Sequence, residues 1–380
     1  MKKLRFLSCL ALIICIIAGT LSMTSCGKAP SGKKTEGLEI IHEPEFGGVY
    51  IKMTGEDFNS LGYSHGDSVN VEFSNGYKLE GIPYYNGYYT KNGEPLLIDY
   101  PGYDYIKAAI NNGDDLWNVA GLEDGMTASI TREEGGKFLK IQQSRDIHYE
   151  DNRKLFESDE VFANFRSINT YGMKKNTVYR SASPCDNQHN RATFVNSLIK
   201  TAGVNFILNL SDDDAKIEKY MSAEDLSCNY FKMLYETGKV APIALNMNYG
   251  SDEFKEKVAK GLSEMAKREG PYLIHCTEGK DRTGFVCMLI EALCGAGYKD
   301  IEKDYMLTYS NYYGITRKTD SEKYETIVEN VLKPMIQSLT GDETIDIETT
   351  DLTAFAEDFL LSGGMTAEEI AMLRKNISGK

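Results

Sequence analysis

Metal-ligand spacing is missing from this sequence: its eight cysteines include no C-x-x-C pair, so nothing in it reads as a zinc-type site. A cationic surface is missing too. Lys and Arg number 42 against 56 Asp and Glu, a net charge of −14, and nucleic-acid binding normally needs the opposite balance. DNA and RNA are excluded as expected partners, and any anion site must be a local exception in an acidic body. There is no internal repeat and no low-complexity tract, and the single tryptophan is Trp117. What is present is 380 residues, 42% of them hydrophobic, enough for two globular domains.

The first residues read as a targeting segment. Lys2, Lys3 and Arg5 precede the apolar run FLSCLALIICIIAG, which is too short and too early for a spanning helix. MTSC at 23–26 is similar to the lipobox of bacterial lipoproteins, with Met23 where Leu is usual. That resemblance implies a lipid on Cys26, membrane attachment and an extracytoplasmic protein; plain cleavage and secretion is the other reading. Residues 1–26 are thus expected to be a signal peptide and 27–37, rich in Gly, Lys and Ser, a tether. Cys185, Cys228, Cys276, Cys287 and Cys294 remain, an odd number without regular spacing, and imply no disulfide framework.

From 38 to 145 the texture is strand and turn. Asn75-Gly76 between alternating runs predicts a hairpin, and Asn-Gly recurs twice in the next stretch. A small β-rich domain is expected; its many tyrosines suit either a binding surface or simply strands. The charged, aperiodic segment 146–160 marks a linker. Beyond it the pattern alternates: a helix over 191–202, a buried strand at VNFILNL, a helix through FKEKVAKGLSEMAKREG and a strand at YLIHC. This predicts an α/β domain over 161–380, a mainly parallel sheet flanked by helices. An amphipathic helix is predicted over 320–339, and Thr366-x-x-Glu369 predicts a capping box on a last helix.

The stretch YLIHCTEGKDRTG at 272–284 combines a strand, a loop with a glycine and a helix start. In that order the loop's backbone N–H groups and the positive end of the helix converge on one spot, which suits an anion. Gly279 permits the turn. A thiol at the mouth of such a site is favoured as thiolate, and the fork of Arg282 can hold two phosphate oxygens.

The run from His275 to Gly284 resembles the HCxxGxxR[ST]G signature of cysteine-dependent tyrosine and dual-specificity phosphatases. Its GKDRTG ending is similar to the bacterial tyrosine/serine branch, some members of which accept phosphoinositides. Weaker matches extend over about 160–380, in FANFRSI, VYRSASP, ILNLSDDD and LLSGGMTAEEIAML. The resemblance implies a tyrosine-phosphatase-like fold, no metal or other cofactor, and a phosphocysteine formed on Cys276. Arg282 and the loop residues Thr277, Glu278, Gly279, Lys280 and Gly284 would bind the phosphate, Thr283 would hydrogen-bond the sulfur, and His275 would orient the loop. Lys280 reads either as extra positive charge for phosphoinositides or as a partner of Asp281 or Glu278. Arg180 reads either as a second phosphate contact or as a structural ion pair. No Trp-Pro-Asp loop is present, and Asn209-Leu210-Ser211 stands where Asp-Leu-Arg is usual. The general acid is therefore open between Asp281 and the run Asp212-Asp213-Asp214.

The expected function is hydrolysis of phosphate monoesters, phosphotyrosine first, with phosphoserine, phosphothreonine or phosphoinositides behind. A catalytically inactive phosphoryl-binding module and a rhodanese-like sulfurtransferase are the alternatives. The expected partner is a phosphorylated protein or phosphoinositide substrate.

Overall fold

The computed structural model describes residues 32–44, 47–147, 149–223, 227–342 and 344–379. The expected signal peptide, Cys26 and the start of the expected tether lie outside them. Two bodies follow one another along the chain.

The first is a closed barrel of seven strands: β1 (Lys34–His42), β2 (Val49–Ile51), β3 (Ser68–Phe73), β4 (Lys78–Tyr85), β5 (Pro95–Ile98), β6 (Ile106–Ile110) and β7 (Thr127–Glu134). They close in the order β1-β2-β6-β5-β4-β3-β7. Alternation explains the inside: along β3, Val69, Val71 and Phe73 are buried, one face of a period-two pattern. The Asn75-Gly76 hairpin is in place between β3 and β4, with Gly76 at φ +89°. The later Asn-Gly pairs do not fold β5 back on β4, because these two strands run parallel. β1 starts at Lys34 and pairs with β7 from that residue, so the expected tether ends short of residue 37. The strand takes polar residues there because backbone pairing does not depend on side-chain polarity.

The second body carries a five-stranded sheet, β8 (Arg166–Ser167), β9 (Val178–Ser181), β10 (Phe206–Asn209), β11 (Val240–Pro242) and β12 (Tyr272–His275). Its order is β11-β10-β12-β9-β8. Every pairing is parallel except β8 with β9, as the strand and helix alternation predicts. β12 is central, and all four of its residues are buried, as expected of a parallel strand covered on both faces. The predicted helices appear at Ala192–Thr201 and Asp252–Ala266, and the capping box at Thr366 and Glu369 is complete.

The predicted helix over 320–339 is broken into Ser321–Ile327, a π-helical turn at Val328–Leu332, and Lys333–Thr340. Pro334 supplies the reason, since it has no N–H for the carbonyl of Asn330 four residues back. That carbonyl accepts from the Arg145 guanidinium at 3.4 Å instead. Arg145 ends the helix Leu139–Arg145 that follows the barrel, so the break helps join the two bodies.

The expected linker is a packed strap. Ile147 lies against the core of the second body. Asp151 pairs with His189 at 3.1 Å and with Arg191 at 3.0 Å, and a capped helix forms at Asp159–Phe162. Asp151 leaves no local pattern because its partners lie outside the segment.

Candidate active site

The loop between β12 and the helix Asp281–Leu293 is held by its carbonyls. His275 Nδ1 lies 3.2 Å from the carbonyl of Cys276, and the Ser183 amide donates to that of Thr277 at 3.0 Å. The Tyr312 hydroxyl donates to Glu278 O at 2.7 Å. Gly279 O takes two donors, Arg180 at 3.0 Å and Asn164 Nδ2 at 3.3 Å, and Lys280 O accepts from the Gly284 amide at 2.8 Å. In a trans peptide the C=O and the next N–H point in opposite directions. Five successive carbonyls fixed outward therefore turn the amides of Thr277 to Asp281 inward. Among the described residues none of these amides donates to another protein group. Such a ring of free N–H groups, backed by a helix start with no side-chain cap, is a nest for an anion.

Cys276 sits at the base of this nest, 3% exposed. Arg282 spans its side, with one nitrogen on Leu245 O at 3.2 Å and another on Thr277 Oγ1 at 3.4 Å. Gly279 has φ +68°, and a Cβ there would stand 2.1 Å from Ser181 O, so strand β9 presses the loop where only glycine fits. His275 is wholly buried, and burial lowers its pKa to about 4 against the opposing pull of Asp212. It is a neutral brace at neutral pH.

Several expectations change. Arg180 does not reach the phosphate position: it is buried, ion-paired with Asp304 at 2.6 Å and bonded to Gly279 O, so the structural reading of this arginine holds. Gly284 cannot offer its amide to phosphate, since Lys280 O takes it. A Cβ on Gly284 would lie 2.6 Å from the Tyr305 ring, so this glycine serves close packing. The Thr283 hydroxyl is buried and, among the described residues, has no hydrogen-bond partner, the Cys276 sulfur included.

The carboxylates also separate. Asp213 caps its helix through Lys216 N, and Asp214 accepts from Tyr235. Asp212 is 2% exposed and bonded to Ser211 Oγ at 2.8 Å and Asn209 Nδ2 at 3.2 Å. Asp281 stands in the first turn of the loop helix with its side chain 30% exposed, 3.8 Å from Lys280 Nζ.

Tyr149, His189, Asp186 and Tyr312 are site residues that the motifs did not reveal. With Thr277 and Glu278 they line a narrow cleft of about 10 Å³ beside the nest, room for about one water and partly open to solvent. Burial, then the nearby Asp212 charge, raises the Asp186 carboxyl above its ordinary range. Tyr149 comes from the strap, and its hydroxyl donates to Glu278 and accepts from Lys280. No spacing rule could have found it, because the strap is far from the loop in sequence. FANFRSI and VYRSASP did carry a signal: their Asn164 and Arg180 are the two donors on Gly279 O.

Residues 160–378 match the model of a tyrosine phosphatase family. A comparison with curated proteins finds no match.

Proposed function

This chain belongs to the tyrosine phosphatase family, and from that premise we propose that it hydrolyses phosphotyrosine and related aryl phosphate monoesters through a phosphocysteine on Cys276. The observation that carries this reading is the nest of inward amides around the Cys276 sulfur, with Arg282 at its side. Three equatorial phosphate oxygens need that many donors, fixed before the reaction begins.

In the first step the Cys276 sulfur forms a bond to phosphorus as the ester P–O bond breaks, and the leaving oxygen takes a proton from Asp281. In the second, water attacks phosphorus and returns its proton to Asp281. The S–P bond breaks, giving back the thiolate and releasing inorganic phosphate. Asp281 is favoured over Asp212 because its side chain is partly exposed, so its proton can be replaced from solvent, whereas Asp212 is buried. Thr283, whose hydroxyl has no partner among the described residues, is the residue we assign to hydrogen-bond the departing sulfur in the second step.

The test is p-nitrophenyl phosphate hydrolysis without added metal. Cys276→Ser should abolish turnover, and vanadate should inhibit the wild type. Asp281→Asn should lower kcat by about 10²-fold or more, with Asp212→Asn and Asp186→Asn far milder. A larger loss in either of those two would move the acid there, and turnover in Cys276→Ser would end the phosphocysteine account. The leader ending at Cys26 supports action outside the cytoplasm on a lipid anchor; mass spectrometry of the mature N-terminus checks this, and an unmodified N-terminus would overturn it.

A further inference from the structure

Lys280 is the second cation of the phosphate loop, yet its ammonium is already engaged by neighbours on the protein. It lies 3.0 Å from Glu278 Oε2 and 3.0 Å from the Tyr149 hydroxyl, within hydrogen-bond distance, and forms a longer ion pair with Asp281 Oδ2 at 3.8 Å. It also sits over the rings of Tyr149 and Tyr313, at 5.6 and 5.9 Å. Burial would neutralise it, but the Asp281 and Glu278 carboxylates outweigh burial and hold it charged. Burial likewise opposes ionisation of Glu278, but Lys280 and the Tyr149 hydroxyl keep its carboxyl below the ordinary range.

The strap cannot easily release Tyr149. His189 stacks on its ring at 4.3 Å between centroids. Arg191 holds the neighbouring chain through Glu150 O and Asp151, each at 3.0 Å. Tyr149, Glu150 and Asp151 lie outside the segment matched to the family, while His189 and Arg191 lie within it, so the matched segment alone does not supply the tyrosine over Lys280.

We infer that Tyr149 is a specificity-determining residue: with Glu278 it withholds Lys280 from substrate and restricts the site to esters carrying a single phosphate. A second phosphate directed at the cleft beside the nest would face Glu278 and Asp186; Arg191, which also lines that cleft, is committed to Asp151 and to the carbonyls of Phe162, His189 and Glu150, and Lys280 stays sealed under Tyr149. This inference rests on the phosphatase reading and excludes polyphosphorylated inositides as good substrates.

The experiment compares kcat/KM for p-nitrophenyl phosphate and for myo-inositol hexakisphosphate in the full mature chain. Wild type should prefer the aryl phosphate by about 10²-fold or more. Tyr149→Phe keeps the ring and removes the bridging hydroxyl, and Glu278→Gln removes the ion pair. Each should narrow the preference, Glu278→Gln by about tenfold, and adding Lys280→Met should restore it. Equal use of both substrates by wild type, or a preference unmoved by both variants, would overturn the inference. Failure of the phosphatase reading shows differently, as no turnover of either compound. The same variants on a Cys276→Ser background then report the preference as affinities for inorganic phosphate and the hexakisphosphate, and the same order is required.

Discussion

At the scale of single residues, two positions make the account of the loop testable. Gly279 combines a left-handed φ with contact against Ser181 O, so Gly279→Ala must displace the loop from β9. A shift of about 1 Å in a reacting group costs on the order of 10²-fold in rate. Aryl phosphate kcat should fall by at least that much in a variant that still folds; unchanged kcat would mean that the carbonyl clamps do not set the loop. His275 gives a pH signature. Its folded pKa of about 4 lies below the ordinary histidine value of 6.5 because of burial, so the unfolded chain binds the proton more readily between those values. The stability this histidine contributes is complete above pH 6.5 and is lost as pH falls toward 4, at up to about 1.4 kcal/mol per unit. His275→Asn keeps a donor near Cys276 O and removes the titration. Urea denaturation at pH 7 and pH 5 should show wild type losing more stability than the variant; equal losses would contradict a buried neutral imidazole.

At the scale of elements, the loop depends on a helix that no motif pointed to. Asp304, on the helix Tyr298–Tyr313, pairs with Arg166 at 2.9 Å and Arg180 at 2.6 Å. Burial would raise its carboxyl, but Arg166 and then Arg180 hold it at about 2. Asp304→Asn leaves two buried guanidinium groups short of charge and should cost roughly 3–5 kcal/mol of stability, with a drop in kcat as Arg180 loses its orientation on Gly279 O. Retained stability and activity would show the brace to be dispensable. The strand, glycine loop and helix start of the site were legible because their signal is local: periodicity, a glycine and a helix terminus. The same is true of the Asn75-Gly76 hairpin and the Thr366 capping box. Asp304 is not legible in the sequence, since its meaning depends on partners on β8 and β9, and Arg180 admits two readings there for the same reason. Barrel closure was hidden too, because the parallel pairing of β4 with β5 leaves no mark in their alternation.

At the scale of the whole molecule, the strap makes the phosphate site answerable to what precedes the catalytic domain. A charged, aperiodic segment reads as linker when taken alone, but its order comes from Arg191, whose guanidinium is buried. Arg191 donates to Phe162 O at 2.8 Å, and to His189 O, Glu150 O and Asp151 at 3.0 Å each. It also lies over the rings of Phe162 and Tyr312, at 4.6 and 4.8 Å. Arg191→Met keeps much of the packing and deletes every one of these bonds. Hydrogen bonds from a charged group contribute about 1.5–3 kcal/mol, so the strap should open at least tenfold more often. Lys154 is exposed within the strap, and cleavage there by trypsin tracks the open population when reclosing is fast. Cutting after Lys154 should therefore accelerate by about tenfold or more in Arg191→Met. The freed Tyr149 should also loosen Lys280 and narrow the preference for singly phosphorylated substrate. If wild type is cut as fast as the variant, the strap is an ordinary linker and the barrel has no hold on the site. If cutting accelerates while the preference stays fixed, the strap is ordered but Lys280 is held by Glu278 without help from Tyr149.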